Sequence, residues 1–147
     1  MINIFTIGFT KKTAKQFFLS LNENNVNLVV DVRLNNSSQL AGFSKYPDIE
    51  FFLDRICNIK YLHDLNFAPN ESTLTRYKKK QINWEQYEIE FAETMQERNI
   101  TEHIKANYSS DNSICLLCSE PTPEKCHRRL VAEYFKSVFQ EVQIIHL

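Results

Sequence analysis

Leu116-Leu117-Cys118-Ser119-Glu120-Pro121-Thr122-Pro123-Glu124-Lys125-Cys126-His127-Arg128-Arg129 carries the chain from a buried strand into an amphipathic helix. The apolar run Ile114 to Leu117 reads as a strand covered on both faces, the pattern of a parallel sheet. Two prolines frame the loop that follows. Thr122 as a cap and Pro123 at the first helical position predict that the final helix begins there. Cys126, His127 and Arg128 then lie in or near its first turn. A thiol, a carboxylate, an imidazole and a guanidinium thus crowd one strand-to-helix turn, which is where open α/β sheets hold their ligands.

The same alternation extends in both directions. Strand patterns occur at Met1–Ile7, Asn27–Val32, Ile59–Leu62, Ser113–Cys118 and Val142–His146. Helical patterns separate them. Thr13 and Gln16 have capping-box spacing ahead of the stripe Ala14, Phe17, Phe18 and Leu21. Ile49, Phe52, Leu53 and Ile56 mark a second helix opened near Pro47, and Thr73–Lys80 a third. Asn83 caps a longer one with Trp84, Tyr87, Phe91 and Met95 facing inward. Leu130, Val131, Tyr134, Phe135 and Val138 form the stripe of the last. Strands alternating with helices predict an α/β fold. We expect a mainly parallel sheet of about five strands with helices on both faces, a Rossmann-like three-layer sandwich. Residues 1–147 read as a single domain, with no repeat, linker or low-complexity tract.

In such a sheet the polar residues after the strands share the carboxyl edge. Gly8 and Thr10 follow the first strand, Asp31 and Arg33 end and follow the second, His63 follows the third, and Cys118 and Glu120 follow the fourth. Arg33 and Arg128 are the candidate anion-binding cations, helped by free amides of the last helix. An Asp31–Arg33 ion pair that orders the following loop is compatible with that role. Cys118 reads as a nucleophile or as packing, and Glu120 as a general acid or base or as a helix cap. His127 falls near the centre of the last helix's apolar stripe, so it points at the sheet. There a strand-end carbonyl or Asp31 can satisfy it, and it can orient a reacting group. Cys126 and Arg128 flank that stripe.

Three sequence signals are set aside. Cys115 and Cys118 match C-x-x-C, but residues three apart on a strand face opposite ways. Cys118, Cys126, His127 and His63 are zinc-type ligands, yet Cys126 and His127 are adjacent and adjacent helical residues diverge, so no metal is assigned. Neither a G-x-G-x-x-G nor a Walker loop occurs, and no cofactor is named. Two basic clusters remain: Lys11, Lys12 and Lys15, and Arg76 with Lys78, Lys79 and Lys80 around Tyr77. They are read mainly as solvated lysines, with nucleic-acid contact as the alternative.

Composition narrows the setting. The chain has 147 residues, 43% apolar and 24% charged, with a net charge of −1. A domain of this size buries roughly 68–70% of its unfolded surface, so it needs neither disulfide nor metal to hold a core. No global field favours nucleic acid or an anionic membrane. No apolar run reaches the ~20 residues that span a bilayer. The chain opens directly on a strand pattern, without the residue order of a secretory leader. The expectation is a cytoplasmic protein with reduced cysteines and no membrane partner. Its oligomeric state is not readable.

Thr6-Ile7-Gly8, Asp31-Val32-Arg33, Tyr61 to His63, and Leu117-Cys118-Ser119-Glu120 with Cys126-His127-Arg128 together resemble the family catalogued as domain of unknown function 488. The resemblance spans nearly the whole chain, and its paired C-x-E and C-H-R signature is specific. It implies a compact α/β domain with its distinctive residues at this edge, and it supplies no activity. The chain departs from the family pattern in four places. Phe9 stands where members often carry His or Tyr. Asn36 and Ser38-Gln39 stand where the family tends to show Pro and then Ser-Arg. The second family arginine is missing, and Lys45 is the candidate substitute for it. A Gly-Gly common after the third strand is absent around Asn66–Pro69. The expected function is an enzyme or ligand-binding domain acting on a small anionic molecule, phosphorylated or nucleotide-like. The alternatives are a nucleic-acid-binding or regulatory module without catalysis, and a structural partner protein in which the turn only secures the last helix.

Overall fold

A computed structural model describes residues 2–37 and 42–147, so Met1 and the Ser38-Gln39 pair lie outside the described residues. Five strands form one sheet: β1 (Ile2–Gly8), β2 (Leu28–Asp31), β3 (Lys60–His63), β4 (Ile114–Cys118) and β5 (Val142–His146). Their order is β3-β2-β4-β1-β5, and every pairing is parallel. The expected α/β three-layer architecture is therefore present. β4 lies at the centre, and its register aligns the carboxyl ends. Gly8 pairs with Cys118, Asp31 with Leu117, and Asp31 with His63.

Local chemistry starts the helices as the sequence predicts. α1 (Ala14–Glu23) opens on a complete capping box: Thr13 Oγ1 accepts from the Gln16 amide at 3.1 Å, and Gln16 Oε1 accepts from the Thr13 amide at 2.9 Å. α2 (Asp48–Cys57) follows Pro47, and α3 spans Glu71–Lys78. The Asn83 side chain caps α4 (Trp84–Glu97), accepting from the Gln86 amide at 2.8 Å. α5 (Ile100–Asn107) is absent from the sequence reading; Asn99 turns left-handed, with φ 53°, and separates it from α4.

The final helix, α6 (His127–Val138), corrects the expected start. Its N-cap is Cys126, not Thr122, and Pro123 lies in the preceding turn. The Cys126 amide donates to the Pro123 carbonyl at 3.2 Å, closing that turn. Cys126 itself is extended, with φ −136° and ψ 135°, so the helix begins one residue later. Ile56 is a smaller correction, because it is solvent-exposed and only Ile49 and Leu53 of its helix are buried.

The sheet separates two cores. Phe5, Ile7, Val29, Cys115 and Leu117 pack with Phe17, Phe18, Leu21, Ile49 and Leu53 of α1 and α2. Ile4, Val30, Leu116 and Cys118 pack with Phe91, Met95, Ile104, Val131 and Phe135 of α4, α5 and α6. Each buried Phe or Leu contributes about 1.5–3 kcal/mol, so the position of α6 is strongly determined. The division also places Cys115 and Cys118 on opposite faces, as strand alternation requires. Among the described residues no helix is long and apolar enough to cross a membrane.

Candidate functional site

Cys118 ends β4 on the face covered by α6, and three side chains meet there. Cys118 Sγ lies 3.6 Å from His127 Nδ1. The ligand atoms of Cys118, Cys126 and His127 all lie within 4.8 Å of one another, and all three residues are buried. His127 Nε2 is 2.7 Å from the Val32 carbonyl. A carbonyl only accepts, so Nε2 carries the proton and Nδ1 is the free nitrogen; Cys118 Sγ lies beside the ring, 4.0 Å from Nε2 as well. Phe91 covers the imidazole at 5.6 Å. The expected strand-end carbonyl partner of His127 is thus Val32. The reason given against a metal does not hold, because Cys126 is extended and its thiol converges with the next residue's imidazole.

The thiols differ. A hydrogen bond from Cys126 draws the Cys118 thiol below its ordinary pKa; burial opposes this, while the Ser119 amide and the Arg128 charge assist. Cys126 is pushed up by that same bond to Cys118 and by burial. Cys115, fully buried on the other face, is raised by burial.

Arg128, expected to flank the apolar stripe, lies beneath the loop that precedes its helix. It is 0% exposed. Its Nε donates to Thr6 Oγ1 at 3.3 Å, and its Nη1 donates to the Glu120 carbonyl and, at 3.9 Å, to Cys126 Sγ. Its Nη2 is buried with no hydrogen-bond partner. No carboxylate pairs with it among the described residues. Gly8 makes room for this arrangement: a Cβ there would lie 1.6 Å from the Glu120 carbonyl oxygen and 2.6 Å from Arg128 Nη1. Lys12 is half-buried beside it. Burial, and then the Arg128 charge, lower the Lys12 pKa.

Arg33 is differently engaged. Its Nε and Nη2 grip both Asp31 oxygens at 2.8 and 2.7 Å, and Nη2 also donates to the Ser44 carbonyl at 2.6 Å. Tyr61 donates to Asp31 Oδ2 at 2.6 Å, and His63 Nε2 donates to the Arg33 carbonyl at 2.7 Å. Phe9 lies 5.3 Å under the guanidinium. The ion pair expected of Asp31 and Arg33 is present. Thr10 joins the edge through its amide, 3.1 Å from the Ser119 carbonyl. Glu120 turns its carbonyl inward while its side chain is exposed.

Thr6, Lys12 and His146 belong to this neighbourhood and escape sequence reading. Thr6 Oγ1 lies 2.6 Å from His146 Nδ1. Thr6 accepts from Arg128, so its own proton can go to His146, which burial and the Arg128 charge keep neutral. Thr6 stands in the Thr6-Ile7-Gly8 motif and Lys12 in a basic cluster, but neither signal marks the residue as a partner of Arg128. A second missed group fixes α5: Asp64 accepts from Tyr108 at 2.6 Å, from His103 Nε2 at 2.7 Å and from the Asn66 amide at 3.0 Å.

The second basic cluster is partly engaged. Arg76 binds Glu90, and Tyr77 packs against Trp84 and Tyr87 at 5.6 and 5.2 Å. Lys78, Lys79 and Lys80 are exposed. The surface grooves between α4 and α6 and beside α2 and β3 both lie away from Cys118.

A family model described as Domain of unknown function DUF488 matches residues 13–135. No curated protein and no solved structure matches.

Proposed function

We propose, for a chain that belongs to the domain of unknown function 488 family, that it binds a small anionic molecule at the carboxyl edge of its sheet and acts on it there. The class that fits is phosphate-bearing, a phosphorylated metabolite or a nucleotide. One observation carries this reading: Arg128 is wholly buried and, among the described residues, has no carboxylate partner and keeps Nη2 unbonded. An unsatisfied buried donor costs about 1–3 kcal/mol, and more when charged. A fold retains such a group when something outside the chain completes it.

The surrounding residues support an anion as that completing group. Thr6 and the Glu120 carbonyl hold the guanidinium plane and leave Nη2 for an acceptor, with Nη1 completing a bidentate grip once it is released from the Glu120 carbonyl. Lys12 supplies a second cation from a half-buried position. The Asp31–Arg33 pair is internally neutralised and adds little net charge. The loop from Ser119 to Lys125 covers Arg128, so the ligand enters by displacing the Glu120 carbonyl from Nη1. Cys118, beside His127, is the group we assign to react with the bound molecule.

Calorimetric titration of the full chain with inorganic phosphate and with a nucleoside monophosphate tests the proposal. Binding is expected, weakened about ten- to hundredfold in Lys12→Ala and in Arg128→Met. No binding by the parent chain, or equal binding by the folded variants, overturns it.

A further inference from the structure

We infer that Cys118, Cys126 and His127 form a binding site for one thiophilic divalent cation, zinc by its ligand chemistry. The first argument is distance. Tetrahedral zinc with a sulfur at about 2.3 Å and a nitrogen at about 2.0–2.1 Å separates the two by roughly 3.6 Å. Cys118 Sγ and His127 Nδ1 are 3.6 Å apart. The third ligand atom, Cys126 Sγ, lies within 4.8 Å of both.

The second argument is orientation. His127 Nε2 donates to the Val32 carbonyl, which leaves Nδ1 as the free ligand nitrogen; Cys118 Sγ lies 3.6 Å from Nδ1 and 4.0 Å from Nε2, so a small turn of the cysteine side chain or the imidazole completes the geometry. That outer bond is the one metal-binding imidazoles use to set tautomer and direction. The extended backbone at Cys126 aims the two adjacent side chains at one point, where a helical residue would send them apart.

The third argument is chemistry. Two thiolates and an imidazole select zinc over calcium or magnesium, which require oxygen ligands. The nearby carboxylate of Asp31 is occupied by Arg33 and Tyr61. Arg128 Nη1 donates to Cys126 Sγ at 3.9 Å, a contact that stabilises a thiolate. Two thiolates cancel the dication, so the Arg128 charge still requires an anion. Three protein ligands leave one coordination position for water or that anion. This inference goes beyond the anion reading, whose binding residues are Arg128 and Lys12; with metal bound, Cys118 serves as a ligand and the metal's open position, not the free thiol, meets the anion.

Metal analysis by native mass spectrometry, followed by cobalt(II) titration of the chelator-treated full chain, tests it. One equivalent of metal and a thiolate-to-cobalt charge-transfer band are expected. Cys118→Ser and Cys126→Ser should abolish the band, while Cys57→Ser, remote on α2, should keep it. Lys12→Ala should keep the band while losing phosphate, so the two proposals fail separately. A folded parent chain that shows no band overturns the inference, as does a Cys118–Cys126 disulfide in place of bound metal.

Discussion

Gly8 faces the carbonyl of Glu120 so closely that even a methyl group would sit 1.6 Å from the oxygen. That carbonyl also holds Arg128 Nη1, so one glycine on β1 supports the loop after β4 and the first turn of α6. Gly8→Ala must push the loop outward. We expect a loss of about 1–3 kcal/mol in urea unfolding, with the Arg128 contacts broken. Unchanged stability would mean that the loop is not held against β1.

Arg128 separates a structural role from a binding one. Arg128→Ala leaves a large hole and is expected to destabilise the fold. Arg128→Met keeps the volume and removes an uncompensated buried charge. Replacing buried ions with apolar groups is often neutral or stabilising by about 1–4 kcal/mol. The expected result is a methionine variant at least as stable as the parent that no longer binds phosphate. A severely destabilised methionine variant would assign the arginine to the core alone.

Asp64 gives the fold a defined acid response. Burial pushes its carboxyl up, but bonds from Tyr108, His103 and Asn66 outweigh that and hold it below its usual value. A carboxyl lowered in the folded state adds stability that is complete above the unfolded value of about 3.9 and is lost as pH falls through the folded one. Asp64→Asn should therefore cost about 1–3 kcal/mol at neutral pH and flatten the decline below roughly pH 4. Chemical denaturation at several pH values checks both.

Tyr61 restrains the Asp31–Arg33 pair. Burial and the Asp31 charge raise its phenol, so it remains a donor. Tyr61→Phe removes a bond to a charged acceptor and should cost about 1.5–3 kcal/mol. Because Arg33 is held by both Asp31 and the Ser44 carbonyl, the loss should loosen residues 33–37 and 42–46 before the sheet. Amide exchange localised to those residues checks this.

The strand ladder was legible because Ile114 to Leu117, Leu28 to Asp31 and Ile2 to Ile7 are apolar or alternating runs bounded by polar breaks. The Thr13 and Asn83 caps were legible because their partners lie three residues away. α5 was not, because Asn99 redirects the chain without glycine or proline. The start of α6 was misread because Thr122-Pro123 imitates a cap and first turn while Cys126 stays extended. Within the site, His127 was placed correctly by helical angle alone. Thr6 and Lys12 were not, because their meeting with Arg128 depends on the register of β1 against β4, which no local pattern encodes.

β4 lies between β1 and β2, which never touch each other. During synthesis β2 must wait unpaired along one side, and β1 along both, until residues 114–118 leave the ribosome. Their long-range partners make the central pairing slow to form. The cysteine-histidine-arginine turn follows directly on that strand, so every truncated chain ending before it lacks the chemistry altogether.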